Sequence, residues 1–275
     1  MKKAMTNFLI LLFASFPVEA QLKVMSYNIK YANKNDEANI WTQRKDHLSG
    51  QLQFYEPDIL GVQEALYSQL TFLKNELNGY EFFGNARDDG AQKGEFSAIF
   101  YKTKKFELLK KGSFWLSSTP ERPSKGWDAA YPRICTYGKL LERSTGKEFW
   151  VFNTHFDHQG KKARKESAQL IHKKIREFNE DERPVILMGD LNLEPETREI
   201  KFLSSKYKDS KQVAEVNFGP EGTFNGYNFH APVIRRIDYI FTKDFDVLKY
   251  GVLSDSKDLR YPSDHLPVLV HLDLP

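Results

Sequence analysis

Seven polar residues stand at or close to the ends of apolar segments, where a fold commonly displays its functional groups. They are Asn28, Glu64, Asp190, Asn192, Asp238, Asp264 and His265. Each one alone has an ordinary structural explanation, because acids favour helix starts and Asn, Asp and Gly favour turns. So many such positions in one chain favour a functional explanation for the set.

The oxygen atoms in this set indicate a hard divalent metal ion. Carboxylate and amide oxygens suit Mg²⁺, with Mn²⁺ or Ca²⁺ as alternatives, and they do not suit zinc. Magnesium in proteins commonly takes one or two carboxylates and keeps several waters. Glu64 and Asp264, helped by the amide of Asn28, fit that pattern.

Histidines supply the remaining chemistry. With the metal assigned to the oxygens, His265 and His155 stay available for proton transfer or for contact with a phosphate group. Asp238 can hold His265 in one tautomer, as an acid does in a hydrolytic triad. A metal ion, an imidazole and an orienting acid are sufficient to activate water and to stabilise a phosphoryl transition state. The chain has no Gly-x-Ser-x-Gly motif and no glycine-rich phosphate loop, which disfavours a serine hydrolase or a nucleotide-dependent kinase.

Strands and helices with clear hydrophobic periodicity must bring these residues together. Strands are predicted at residues 22–28, 58–62, 96–101, 133–141, 148–153, 185–188, 237–241 and 266–272. Helices are predicted at residues 41–55, 66–77, 161–178 and around 200–203. Residues 113–132, which contain Trp and Pro, are predicted to be a long loop with short edge strands.

The order of these elements nearly repeats itself. Residues 103–112 resemble residues 242–251, and Tyr131-Pro132 matches Tyr261-Pro262. Each half therefore reads strand, helix, strand, helix, strands. Two such halves predict a layered α/β sandwich, in which strand ends from both halves meet around one cleft across a pseudo-two-fold axis.

The first twenty residues have the pattern of a secretory signal. Lys2 and Lys3 precede an apolar run at residues 8–16, and the small residue Ala20 stands at the expected cut. The run is shorter than the ~20 apolar residues that span a bilayer. We therefore expect a soluble protein of residues 21–275 without a membrane span, exported to the periplasm or outside the cell.

The composition of residues 21–275 limits the classes of molecule that the protein is expected to bind. After residues 1–20 are removed, 38 basic and 36 acidic residues leave a net charge of +2, which is not typical of a nucleic-acid-binding protein. Cys135 is the only cysteine, so the chain forms no internal disulfide and no zinc–thiolate site. We expect a monomer.

Six short motifs together resemble the endonuclease/exonuclease/phosphatase superfamily, whose fold is that of pancreatic deoxyribonuclease. They are Ser-Tyr-Asn28, Gln63-Glu64, Asn153-Thr-His155-Phe-Asp-His, Gly189-Asp190-Leu-Asn192, Arg236-Ile-Asp238-Tyr-Ile and Ser263-Asp264-His265. Gly-Asp-x-Asn together with Ser-Asp-His is a highly specific combination. The motifs span nearly all of residues 21–275 and imply a single catalytic domain with a four-layer α/β sandwich, two central mixed β-sheets being flanked by helices.

The resemblance also implies site residues for the metal and the substrate. Glu64, with Asn28 and Asp264, would hold the metal ion. Arg133 matches a position that contacts the substrate phosphate. These assignments agree with the oxygen-rich set found from residue types alone.

The catalytic roles that the resemblance implies fall on a second group. His265, paired with Asp238, would be the general base for the attacking water. Asp190 and Asn192 would orient that water and contact the phosphate, and His155 would contact the phosphate or act as an acid. The implied activity is divalent-metal-dependent hydrolysis of a phosphodiester or a phosphomonoester.

The sequence leaves the substrate open among nucleic acids, lipid head groups and small phosphorylated metabolites. Apurinic-site repair enzymes of this superfamily usually have Asn-Gly after the first strand, whereas Asn28 is followed here by Ile29-Lys30. The middle motif of those enzymes lacks a histidine, whereas His155 is present here. Both features resemble the deoxyribonuclease, deadenylase, sphingomyelinase and phosphatase branches. The alternatives are a nuclease acting on DNA or RNA and, in another class, an exported binding module without catalysis on the same fold.

Overall fold

The computed structural model describes residues 21–36 and 38–273. The export prediction depends on residues 1–20 and therefore lies outside the described residues. Within the described ranges, no helix has both the length and the apolar character needed to cross a membrane.

The described residues form thirteen strands and five helices. The strands are β1 Leu22–Asn28, β2 Ile59–Ala65, β3 Tyr80–Phe83, β4 Phe96–Lys102, β5 Phe106–Trp115, β6 Ile134–Glu142, β7 Glu148–His155, β8 Val185–Asp190, β9 Lys208–Asp209, β10 Val216–Phe218, β11 Asp238–Lys243, β12 Asp246–Val252 and β13 Val268–Asp273. The helices are α1 Trp41–Tyr55, α2 Tyr67–Glu76, α3 Lys161–Phe178, α4 Arg198–Ser204 and α5 Ser210–Val213.

The strands form two mixed sheets with matching topology. The first sheet has the order β10-β12-β13-β1-β2-β4-β3, and the second has the order β5-β6-β7-β8-β11-β9. Each has one parallel pair at its centre, β1 with β2 and β7 with β8, and antiparallel neighbours on both sides. The two similar segments of the sequence overlap β5 and β12, which hold equivalent places in the two sheets. The predicted α/β sandwich with two similar halves is confirmed.

Three buried apolar clusters define the four layers. One lies between the sheets and includes Val24 and Ile186. The second joins α1 and α2 to the outer face of the first sheet and includes Leu48. The third joins α3 and α4 to the second sheet, and Ile171 and Ile175 pack there because residues four apart share one face of a helix.

The structure contains five strands that the sequence did not predict, β3, β5, β9, β10 and β12, and the short helix α5. Strand β5 runs into the segment expected to be a loop, up to Trp115. Its middle is exposed, it lies at the edge of its sheet, and its register shifts between Leu108 and Lys110. An exposed and bulged edge strand lacks the regular alternation of apolar residues from which strands are predicted.

Candidate active site

The polar residues meet at one edge of the sandwich because of how the strands are directed. β1 and β2 are parallel, so Asn28 and Glu64 emerge at the same edge of the first sheet. β7 and β8 are parallel as well, with His155 and Asp190 paired in register. The antiparallel strand β11 begins where β8 ends, so Asp238 pairs directly with Asp190.

A β-bulge sets the direction of the Glu64 side chain. Gln63 and Glu64 of β2 together face one residue of β4, Ser97. Glu64 has a φ of 60°, which is uncommon for a residue other than glycine. Bulges redirect side chains next to active sites. Here the bulge places Glu64 Oε1 3.1 Å from the amide nitrogen of Asn28, which donates a hydrogen bond to it.

Asn153 fastens the two sheets together beside this bulge. Its Nδ2 donates hydrogen bonds to the carbonyl oxygens of Val62 and Ala98 at 3.0 and 2.8 Å, and its Oδ1 accepts one from Gln63 Nε2 at 2.7 Å. All these groups are buried, where an unpaired carbonyl would be costly. The sequence placed Asn153 in a motif but gave it no role.

The carboxylates predicted to bind metal converge on one positive charge. Lys30 Nζ lies 3.6 Å from Glu64 Oε2 and 3.2 Å from Asp264 Oδ2. Burial acts to raise the pKa of Glu64, but Lys30, His265 and the hydrogen bond from Asn28 hold that pKa below its usual value. Two carboxylates turned towards a shared cation are a donor set that fits a hard divalent ion.

Asn28 contacts both sides of the site. Its Nδ2 donates to Asp190 Oδ2 at 3.0 Å as well as to Glu64, while its Oδ1 accepts from the backbone N–H of Lys30 at 3.1 Å. In this orientation its amide holds two carboxylates in place. Its role as a metal ligand stays a prediction.

His265 is held between an acid and an aromatic ring. Its Nδ1 donates to Asp238 Oδ2 at 2.9 Å, and the Phe224 ring packs edge-on at 5.0 Å. The Thr223 hydroxyl donates to the same Asp238 oxygen at 2.5 Å and accepts from the backbone N–H groups of Ile237 and Asp238, both at 3.1 Å. Thr223 thus orients Asp238, and no sequence motif pointed to it.

Asp190 and His265 share an unusual electrostatic environment. Burial and the adjacent Asp238 carboxylate raise the pKa of Asp190 to about 7, against the opposing effect of His265. Burial acts to lower the pKa of His265, but Asp238 and Asp190 raise it to about 10. Asp190 Oδ2 lies 3.7 Å from His265 Nε2. Asp190, Asp238 and His265 also offer ligand atoms within 4.8 Å of one another, a second group that could hold a metal ion.

His155 faces Asp190 from the other side as a neutral imidazole. Burial and the charges of Arg133 and Arg87 keep its pKa well below the usual value. Its Nδ1 lies 3.1 Å from Arg133 Nη1, which can only donate, and a neutral imidazole has a single acceptor nitrogen. Nε2 lies 3.4 Å from Asp190 Oδ2 and 3.1 Å from the Asn192 amide nitrogen.

Arg133 is positioned by a buried acid. Asp157 Oδ2 accepts from Arg133 Nε at 3.3 Å, and Asp157 Oδ1 accepts from the backbone N–H groups of Gln159 and Gly160. Although burial opposes it, these backbone donors and the Arg133 charge lower the pKa of Asp157 to about 2. Arg133 Nη2 also reaches His158 Nδ1 at 3.1 Å, so its guanidinium is fixed on three sides.

A cavity of about 550 Å³ brings the predicted residues together. Its wall includes the predicted residues Glu64, Arg133, His155, Asp190, Asn192, Asp264 and His265. Asn28 and Asp238 lie behind the wall, hydrogen-bonded to Asp190 and His265. The wall also contains residues that the sequence did not predict: Lys30, Tyr31, Arg87, Glu95, Tyr131, His158, Phe224, Arg235 and Ile237. The sequence pointed to two of these residues indirectly, since Lys30 closely follows Asn28 and His158 ends the motif that contains His155.

Comparisons with known proteins agree with this architecture. The model of the Endonuclease/Exonuclease/phosphatase family matches residues 25–265. A solved endonuclease/exonuclease/phosphatase family protein of Bacteroides thetaiotaomicron is 42% identical, with a TM-score of 0.90, and the match covers 93% of this chain and 98% of that one. A mannosyl-6-phosphatase of the same species is 44% identical, with a TM-score of 0.88, over 91% of this chain and 99% of that one.

A viral relative matches over most of its length. An uncharacterized protein of Acanthamoeba polyphaga mimivirus is 28% identical over 258 residues, which cover 84% of this chain and 91% of the relative. Members of the matched family hydrolyse phosphoesters, and they generally do so with divalent metal ions. The chain belongs to the endonuclease/exonuclease/phosphatase family.

Proposed function

We propose that the protein is a divalent-metal-dependent phosphoesterase that removes phosphate from a small phosphorylated molecule. The observation that carries the proposal is the meeting of Asp190, His265, His155 and Arg133 in one cavity of about 550 Å³. That volume lies in the range of small-molecule sites, about 300–1,000 Å³. The 44% identity to a mannosyl-6-phosphatase supports a phosphorylated sugar as the first substrate to test.

The phosphate would bind to the cationic side of the cavity. Arg133 offers a guanidinium fixed by Asp157, and such a group binds phosphate in a fork geometry. His155 offers a neutral imidazole, and Asn192 offers its amide nitrogen beside it. The low pKa of His155 supports a phosphate contact rather than an acid role for this residue.

The carboxylates of Glu64 and Asp264 would hold the metal ion, with Asn28 keeping Glu64 in place. A bound ion of this kind neutralises negative charge on the phosphate oxygens. Carboxylate oxygens support Mg²⁺ as the physiological ion, with Mn²⁺ or Ca²⁺ as substitutes.

The attacking water would lose its proton to the Asp190–His265 pair. At neutral pH the raised pKa of His265 favours an imidazolium, while Asp190, with a pKa of about 7, is the better proton acceptor of the two. We therefore assign the base function to this coupled pair rather than to His265 alone. The water oxygen forms a bond to phosphorus, the bond to the leaving oxygen breaks, and the leaving alcohol takes up a proton from solvent.

A substrate panel tests the proposal. The purified protein would be assayed with mannose 6-phosphate, glycerol phosphate, a phosphodiester, DNA and RNA, each with Mg²⁺ and with EDTA. We expect phosphate release from the monoesters that stops with EDTA, and a loss of about 10²–10⁴-fold for Asp190→Asn, the usual contribution of a general base. The matched control Asp46→Asn, on the exposed part of α1, should keep full activity.

The other outcomes separate the alternatives. Cleavage of DNA or RNA without phosphate release from monoesters would identify a nuclease. No hydrolysis of any substrate, with Mg²⁺ or Mn²⁺, would support a binding module without catalysis.

Export stays a proposal that rests on the signal pattern of residues 1–20. Expression of the full chain in a bacterial host, followed by fractionation and N-terminal sequencing, tests it. We expect exported protein that begins at Gln21, and an uncut chain in the cytoplasm would contradict the proposal.

A further inference from the structure

We propose that Arg87, Glu95 and Tyr131 form a subsite for a neutral, hydroxyl-rich leaving group such as a sugar ring. The inference rests on the proposed function, because it assigns the part of the substrate that lies beyond the phosphate. It concerns a wall of the cavity to which neither the motifs nor the catalytic arrangement assigns a role.

The Arg87–Glu95 ion pair is built into the fold. Both residues belong to the turn between β3 and β4, where the Arg87 N–H donates to the Glu95 carbonyl at 3.0 Å. The Arg87 carbonyl accepts from the indole nitrogen of the buried Trp115 at 2.7 Å. Arg87 Nη1 lies 2.6 Å from Glu95 Oε2, and both side chains are mostly buried. The pair is therefore fixed in position before a ligand arrives.

Tyr131 adds an aromatic surface next to this pair. Its ring stacks on His158 at 6.0 Å, with 18° between the planes, and the Arg87 guanidinium carbon lies 5.0 Å from its centre. Tyr131 is nevertheless 51% exposed, although it lines the cavity. A large ring that is held on one side and exposed on the other offers area for an apolar ligand face.

These three groups match the chemistry of a polyol. An ionised carboxylate accepts hydrogen bonds from several hydroxyls, and a guanidinium donates several, so adjacent Glu95 and Arg87 can bind neighbouring hydroxyl groups. The C–H face of a sugar ring can pack on Tyr131. Nucleic acid would bring further phosphates into the cavity, but the Arg87–Glu95 ion pair has no net charge to attract them. The wall therefore favours a leaving group without charge.

The test compares two phosphomonoesters that differ in the leaving group. We expect Glu95→Gln and Tyr131→Ala each to lower the ratio of kcat/KM for mannose 6-phosphate to that for ethyl phosphate, whose leaving group has no further hydroxyl, by about tenfold. Tyr131→Phe, which keeps the ring, should preserve the ratio. Glu121→Gln, a charge removal at an exposed residue outside the cavity, is the matched control. An unchanged ratio, or an equal fall for both substrates, would overturn the subsite.

A binding measurement separates this inference from the proposed function. Ligand-observed NMR with methyl mannoside, which carries no phosphate, reports on the subsite without catalysis. We expect binding to the wild-type protein that is lost in Glu95→Gln. Binding without hydrolysis of any phosphomonoester would leave the subsite standing and remove the proposed function. Hydrolysis of phosphomonoesters without binding of methyl mannoside, and with an unchanged ratio of kcat/KM values, would support the proposed function and overturn the subsite.

Discussion

The Lys30 ammonium nitrogen lies 3.2 Å from Asp264 Oδ2 and 3.6 Å from Glu64 Oε2, and so pairs with both carboxylates proposed to hold the metal ion. Burial acts to lower the pKa of Lys30, but Glu64 and Asp264 raise it well above its usual value. Lys30 therefore stays charged across the physiological pH range. Its ammonium group and a divalent cation compete for the same oxygens.

Replacing Lys30 by Met should tighten the binding of Mn²⁺. Removal of a competing charge at a partly buried site is worth roughly 1 kcal/mol, which corresponds to about fivefold in affinity. Isothermal titration calorimetry measures this without substrate or turnover. Lys34→Met removes the same charge from an exposed position four residues away and should leave the affinity unchanged. Equal or weaker binding by Lys30→Met would show that the two cations occupy separate places.

Asp238→Asn should move the whole pH profile of kcat/KM to lower pH. The Asp238 charge raises the pKa of both Asp190 and His265, so its removal lowers both. The acidic limb follows the loss of the Asp190 proton and the basic limb follows the loss of the His265 proton, so both limbs shift in the same direction. We also expect activity to fall by ~10²-fold or more, because His265 loses the acid that orients it. A profile of unchanged position in assays across the pH range would contradict the assigned coupling.

Thr223→Val tests the residue that positions Asp238. Valine has nearly the same shape, but it leaves the backbone N–H groups of Ile237 and Asp238 without their buried acceptor. We expect a loss of about 1–3 kcal/mol in the free energy of unfolding. Activity should fall as well, and the pH profile should shift because one hydrogen bond to Asp238 is lost. Thr223→Ser keeps the hydroxyl and should restore the pH profile; failure of this rescue would point to packing of the methyl group instead.

The sequence could predict which polar residues meet at the candidate site because strand ends carry them. Asn28, Glu64 and Asp190 follow apolar runs, and the direction of a parallel pair brings such ends to one edge. Residue types then indicated oxygen ligands and an imidazole–acid pair. The internal repeat also predicted the matching sheets, because equivalent segments pack in equivalent ways.

The remaining features depend on contacts between segments distant in the sequence. The bulge at Glu64 depends on how β2 pairs with β4, and a single strand does not show it. Thr223 acts through Asp238, fifteen residues away, from a loop without periodicity. Glu95 and Tyr131 reach the same cavity from different loops. Only the folded chain shows that such residues are neighbours.

Asn153→Leu should weaken the attachment of the two sheets to each other. Leucine fills a similar volume but leaves the buried carbonyls of Val62 and Ala98 without their donor, at about 1–3 kcal/mol for each group. Urea unfolding should therefore show a clear loss of stability. Asn75→Leu, at an exposed position of α2, should change it by no more than about 0.5 kcal/mol.

The same variant should bind Mn²⁺ more weakly, because Asn153 also holds Gln63, the neighbour of Glu64 in the bulge. Calorimetry at a temperature where the variant is folded measures this effect separately from stability. Reduced stability with unchanged metal affinity would mean that the contacts of Glu64 with Asn28, Lys30 and the Tyr31 N–H are sufficient to keep it in place. Unchanged stability would mean that the carbonyls of Val62 and Ala98 find other hydrogen-bond donors in the variant. The apolar cluster between the sheets would then be sufficient to join them.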